Sequence, residues 1–127
     1  PKRIINLHPS FLPWNRGYHP NYWSIKDNTP HGVTIHYIDE GIDTGDILIQ
    51  TKFNYSPNDT LRSTYNRLRK YMVLLFEMSW LDIKEGKLTG IKQKKGEGTI
   101  HYNADFNGIL ENLQYGWDTR IEDVIKS

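Results

Sequence analysis

The sequence predicts an α/β domain, and three stretches carry that prediction. Residues 3–7, RIINL, form a short, nearly continuous apolar run ended by His8-Pro9, which reads as a strand of the kind buried in a parallel sheet. Residues 33–39, VTIHYID, alternate like a strand, and a third run, residues 60–85, keeps its apolar residues at helical spacing.

Pro9 ends the first strand because it donates no ladder hydrogen bond and restricts His8 to extended geometry. Residues 9–17 follow as a loop with two prolines and a glycine. Residues 20–26 suit a short helix, since Pro20 is tolerated in a first turn and Tyr22, Trp23 and Ile25 can face inward. Thr29-Pro30 and Gly32 mark a turn. In the next strand Val33, Ile35 and Tyr37 share one face and Thr34, His36 and Ile38 the other. The loop EGIDTGD, residues 40–46, separates it from a further strand over residues 47–55, so the two are expected to pair antiparallel.

The long helix places Leu61, Tyr65, Leu68, Met72, Leu75 and Phe76 on its apolar face, with Asp59 or Thr60 as N-cap and Gly86 as the stop. A lysine-rich segment, residues 92–98, then precedes a short strand TIHY, residues 99–102, and a helix expected over residues 105–113.

With 127 residues the chain is one domain's worth, long enough to bury about two-thirds of its unfolded surface. Sixteen Lys and Arg against 15 Asp and Glu leave a net charge of +1, so charge gives no general argument for a nucleic-acid or membrane partner. The absence of cysteine excludes disulfides and thiolate metal sites, and no apolar run reaches the ~20 residues of a membrane span. The expected location is cytoplasmic. His19, His31, His36 and His101 show no metal-ligand spacing, so no metal site is predicted. Lys84, Lys87, Lys92, Lys94 and Lys95 read as a solvated face.

Two loops stand out chemically, one after Leu7 and one between Ile38 and Ile47. Asn6 and His8 lie two residues apart, hence on one face of the strand, at the end where open α/β sheets gather functional groups. If the residue 40–46 loop folds over that end, an amide, an imidazole and a carboxylate converge. Asp39, Glu40 and Asp46 read from the residues alone as turn and surface groups.

NLHPSFLP followed by RG, and then GVTIHYIDEGIDTGDILIQ, resembles the folate-dependent formyltransferase family, which includes glycinamide ribonucleotide and methionyl-tRNA formyltransferases. The resemblance covers residues 3–90 and implies the C-terminal portion of a Rossmann-like formyltransferase sheet with a β-hairpin and one long helix. It makes residues 1–90 the catalytic part, truncated at its N-terminus, and residues 91–127 a C-terminal extension of strand plus helix. It makes Asn6, His8 and Asp43 the catalytic trio, and it places Asp39, Gly41, Ile42 and Asp43 on the co-substrate, 10-formyltetrahydrofolate. The chemistry is consistent. Formyl transfer to a primary amine creates an oxyanion, which the Asn6 amide and a protonated His8 would stabilise while Asp43 collects the amine's proton.

LPWNRGYHPNYWSI and GTIHYNADF look most like bacterial enzymes that formylate nucleotide-linked 4-amino-4,6-dideoxy sugars. That resemblance implies a small-molecule acceptor contacted by Ser10, Arg16, Gly17, Tyr18 and Asn21, with Asn15 and His19 in the same segment. A homodimer is compatible with it. The alternatives are transfer to methionyl-tRNA or glycinamide ribonucleotide, hydrolysis of 10-formyltetrahydrofolate, and a non-catalytic packing module.

Overall fold

The computed structural model describes residues 3–127. Strand β1 spans Ile5–His8 and a two-residue strand β2 covers Arg16–Gly17. Helix α1 (Pro20–Lys26) leads into β3 (Gly32–Tyr37), β4 (Ile47–Lys52) and the long helix α2 (Leu61–Lys84). The rest comprises β5 (Ile100–His101), 3-10 turns at Asn103–Phe106 and Gly116–Asp118, and the short helices α3 (Ile109–Asn112) and α4 (Ile121–Lys126).

The β3–β4 hairpin forms as its alternation predicts, but β1 is not in a parallel pair. It runs antiparallel to β3, with Asn6 opposite His36 and His8 opposite Thr34, in a sheet of order β1-β3-β4. An apolar run alone does not distinguish parallel from antiparallel neighbours, and the hairpin offers β1 the edge of β3. Nor does β3 keep one face wet, because Gly32 through His36 are all buried. Helix α2 packs against β3. On the polar face, the Thr34 hydroxyl donates to the Ser10 carbonyl and accepts from the Leu12 amide, so the loop after β1 roofs that side.

Thr60 caps α2 through a reciprocal box with Ser63, each side-chain oxygen accepting from the other residue's backbone N–H. Gly86 follows in the left-handed conformation that ends many helices. Leu61 and Leu68 are fully buried, whereas Tyr65, expected to face inward, is 45% exposed. Tyr65 instead lines a cavity described below.

The C-terminal third is woven into the rest. β5 pairs in parallel with β2, a strand invisible in a proline-rich loop, and Leu113, Ile121 and Val124 join Tyr22, Ile25, Leu61 and Phe106 in one apolar cluster. The helix expected over residues 105–113 appears as a 3-10 turn and the four-residue α3, divided by Gly108 at φ +76°. Helix α4, which no sequence signal announced, seats Ile121 and Val124 against α1. Among the described residues no helix is long and apolar enough to cross a membrane.

His31 makes this fold acid-sensitive. It is buried, with Nδ1 2.9 Å from Ser24 Oγ and its ring edge-on to Tyr55. Burial first, then the Arg67 charge, lower its pKa from 6.5 to about 4, against the opposing pull of Asp59. Because the folded-state value lies below the unfolded one, the stabilisation is complete above pH 6.5 and drains away as pH falls towards 4. The loss expected from this one group is about 3 kcal/mol. Thermal melting between pH 7.5 and 4.5 should therefore show a falling Tm whose slope is reduced in His31→Asn; an identical slope in the variant excludes His31 as the source.

Candidate active site

His8 closes β1 and turns its ring towards the loop between β3 and β4. Its Nε2 lies 3.0 Å from the Asn15 carbonyl oxygen and 3.5 Å from Asp43 Oδ2. Both neighbours are acceptors, so the neutral ring carries its proton on Nε2 and leaves a lone pair on Nδ1. Asp43 sits in that loop at φ +54°, a left-handed backbone that non-glycine residues seldom adopt. Its Oδ2 accepts a 2.8 Å hydrogen bond from the Gly17 N–H, and its Oδ1 lies 3.6 Å from Nε2 of His36.

His36 belongs to this group, although no spacing in the sequence singled it out. It stands opposite Asn6 across the β1–β3 pair, at a register irregularity where the ladder with β4 slips between Ile35 and His36. Bulges of this kind re-aim side chains beside functional sites. His36 Nδ1 is 2.8 Å from the Tyr37 carbonyl, and its buried Nε2 has no hydrogen-bond partner among the described residues. The Asp43 carboxylate is thus flanked by two imidazoles with ring centroids 6.2 Å apart. The signal that could have found His36 was its place in the alternation, where it shares a face with Thr34.

The electrostatics alter one expectation. Burial lowers the His8 pKa below 6.5 and outweighs the Asp43 carboxylate and the Asn15 carbonyl, both of which raise it, while His36 lowers it further. His8 is therefore mainly neutral at pH 7, not the imidazolium expected from its acidic neighbour. A charge in this nearly closed position would forgo more hydration than one carboxylate at 3.5 Å returns.

Asn6 is half-buried on the same strand face as His8, and among the described residues no hydrogen bond engages its side chain. Asp39 is exposed and accepts from Gly41 N–H at 3.0 Å and the Thr44 hydroxyl at 2.6 Å, which closes the turn and lowers its pKa. Ile42, 45% exposed, precedes Asp43 in the loop, and Ile38, 50% exposed, follows β3 at the loop's start. Gly45 admits no side chain, because a Cβ there would collide with the Tyr37 carbonyl, so the loop returns hard against β3.

A cavity of about 570 Å³ opens beside His8. Gly17, Tyr18, His19 and Asn21 form one wall, Arg62, Tyr65, Asn66 and Arg69 of α2 another, and Trp117 a third. Arg62 is held by Asp118 at 2.8 Å, whereas no carboxylate pairs with Arg69 among the described residues. The buried Asn21 side chain donates to the Leu61 carbonyl, and among the described residues its Oδ1 has no partner.

Three expected acceptor contacts do not reach this cavity. Ser10 is 1% exposed, with its carbonyl bound by Thr34. Asn15 is equally buried, donating from Nδ2 to Thr29 Oγ1 and accepting from His8 at its carbonyl. Arg16 turns to Gln93, donating from Nε and Nη2 to Oε1 at 3.0 and 2.6 Å. Ser10 and Asn15 are buried in the turn after β1, where their backbone carbonyls are bonded by Thr34 and His8, and the Arg16 side chain is held away by its bonds to the Gln93 side chain.

Comparison with known proteins agrees with this geometry. The formyl transferase family model matches residues 1–76. The dTDP-4-amino-4,6-dideoxyglucose formyltransferase of Mycobacterium tuberculosis is 36% identical over 107 residues, covering 84% of this chain and 45% of that protein. The methionyl-tRNA formyltransferase of Syntrophus aciditrophicus is 46% identical over 126 residues, covering 90% of this chain and 40% of that protein. Among solved structures, the formyltransferase PseJ from Anoxybacillus kamchatkensis, in complex with UDP-4,6-dideoxy-4-formamido-L-AltNAc and tetrahydrofolate, superposes with a TM-score of 0.90 at 50% identity. That match covers 95% of this chain and 64% of PseJ, and the chain spans less than half the length of the two enzymes matched by sequence. Both the family match over β1 to the middle of α2 and the likeness of the whole fold lead to one assignment: the chain belongs to the formyl transferase family.

Proposed function

We propose that the protein carrying this chain transfers a formyl group from 10-formyltetrahydrofolate to the primary amine of a nucleotide-linked amino sugar. The observation that supports this most is the pairing of His8 with Asp43, with Asn6 two residues away on the same strand, where His8 borders a cavity with aromatic and guanidinium walls. The folate supplies a formamide whose carbonyl carbon is open to attack by an amine. Ile42, exposed and next to Asp43 in the chain, offers a flat ring apolar surface there. The Asn6 amide, which no hydrogen bond engages among the described residues, is a donor for the oxygen that gains negative charge. The Nδ1 lone pair of neutral His8 accepts a proton from the attacking amine and returns it to the folate nitrogen as the bond from that nitrogen to the formyl carbon breaks. Asp43, between two imidazoles, offsets the charge that His8 then acquires.

The cavity supports a nucleotide-linked acceptor. Tyr18, Tyr65 and Trp117 give apolar faces for a base or sugar ring, and Arg69, with no carboxylate partner among the described residues, is a cation suited to a diphosphate. Replacing Arg69 by alanine should raise KM for the amino-sugar nucleotide about tenfold, the worth of one charged hydrogen bond, and leave KM for the folate within twofold. Equal changes in both constants would remove Arg69 from the acceptor site.

The decisive assay incubates the protein with 10-formyltetrahydrofolate and a pool of UDP- and dTDP-linked amino sugars, glycinamide ribonucleotide and charged initiator tRNA. A formyl mass gain on a sugar is expected. A gain on the tRNA alone would favour the reading suggested by the methionyl-tRNA relatives, and formate released without an acceptor would make the protein a hydrolase.

A further inference from the structure

Gln93 lies beyond the stretch matched by the family model, in the segment that follows α2, yet its side chain reaches the centre of the site. We propose that Gln93 is a positioning residue that locks the Asp43 loop in the conformation from which its carboxylate faces both imidazoles. The inference rests on the formyl-transfer reading of that site.

A single amide makes four hydrogen bonds here. Nε2 donates to the Asp43 carbonyl at 3.0 Å and to the Gly45 carbonyl at 2.8 Å, while Oε1 accepts from Arg16 Nε and Nη2. Both amide protons and both carbonyl lone pairs are used, and the partners fix the orientation, since two carbonyls can face only the NH₂ and a guanidinium only the oxygen. Arg16 precedes Gly17, whose N–H holds the Asp43 carboxylate, so one dipeptide grips Asp43 directly through its side chain and indirectly, by way of Gln93, through its backbone.

The clamp has a fixed base. Ile47 and Ile91 exchange backbone hydrogen bonds of 2.8 Å in each direction, which sets residues 91–93 beside the start of β4. A Cβ on Gly90 would come within 2.9 Å of Asp46, so the two segments lie in close contact. A left-handed aspartate persists only where its surroundings over-determine it, and these contacts do so. Apart from Asp43, the titratable and charged groups facing His8 or its cavity are His36 from β3, Arg62, Tyr65 and Arg69 from α2, Tyr22 from α1, and Tyr18 and His19 ahead of α1.

The test uses Gln93→Glu in the full-length protein, a change that keeps length and the Arg16 contact but removes both donors. The expected result is a kcat about 30-fold lower with both KM values within threefold. In an Asp43→Asn background the same change should add less than twofold, because the two substitutions disable one device. The His8 ring, followed by NMR titration in the uncharged Gln93→Met, should show its midpoint moving down, as is expected when Asp43 is neutralised. Should Gln93→Glu melt below the assay temperature, Gln93→Met serves for the same readings. An unchanged kcat with an unchanged His8 midpoint overturns the proposal, as does a full 30-fold loss in the Asp43→Asn background. If the wild-type protein formylates nothing, the formyl-transfer reading fails alone, and the His8 midpoint still decides the role of Gln93.

Discussion

Asp43→Asn is expected to lower kcat by about 10³-fold, within the range for loss of an electrostatic stabiliser of developing charge. The substitution is close to isosteric, and its side-chain oxygen can still accept from the Gly17 N–H, so the loop should stay in place. What disappears is the negative charge 3.5 Å from His8 and 3.6 Å from His36. Without it, the positive charge that His8 gains on taking the amine's proton has no compensation in a buried site. KM for either substrate should change little, because the loss falls on the charge-separated state and not on binding. Steady-state kinetics with circular dichroism checks the expectation. Turnover within threefold of wild type, in a folded variant, would remove Asp43 from the chemistry.

Much of this site could be read from the sequence because its residues lie at element ends. Asn6 and His8 announce themselves by a two-residue spacing on a strand stopped by proline, and Asp43 lies in a loop marked by glycines on either side. The approach of Asp43 to His8 follows from an antiparallel hairpin whose first strand pairs with β1, where a parallel neighbour is expected. Period-two alternation identified β3 but could not show that its polar face is roofed, since the roof comes from a loop without periodicity.

The parts that sequence could not show are long-range. His36 acquires its place through a register slip in β4, and Gln93 reaches Asp43 across a separation of 50 residues. Arg16 is expected as an acceptor contact because its segment resembles that of amino-sugar formyltransferases, yet its guanidinium is spent on Gln93. The tail was legible only as fragments, because α3 and α4 are too short to carry a helical period and owe their form to the apolar cluster they complete.

The neutral state of His8 yields a prediction opposite in direction to the one its acidic neighbour suggests. If the Nδ1 lone pair takes the proton, the active form is the unprotonated ring, and kcat/KM should be level at pH 7 and fall on the acidic side, tenfold per pH unit beyond the midpoint. Burial places that midpoint below 6.5, and the sign follows from the free enzyme, where the imidazolium is the form that burial penalises. His8→Asn should lose about 10³-fold in kcat and, with no ring to titrate, lose this acidic limb as well. Asp43→Asn should instead keep the limb and move it lower, because the carboxylate raises the His8 pKa and its removal leaves burial less opposed. The two variants therefore separate a residue that carries the proton from one that stabilises the charge it creates. A rate that rises as the pH drops from 7 to 5.5 would return His8 to the role of a charged donor.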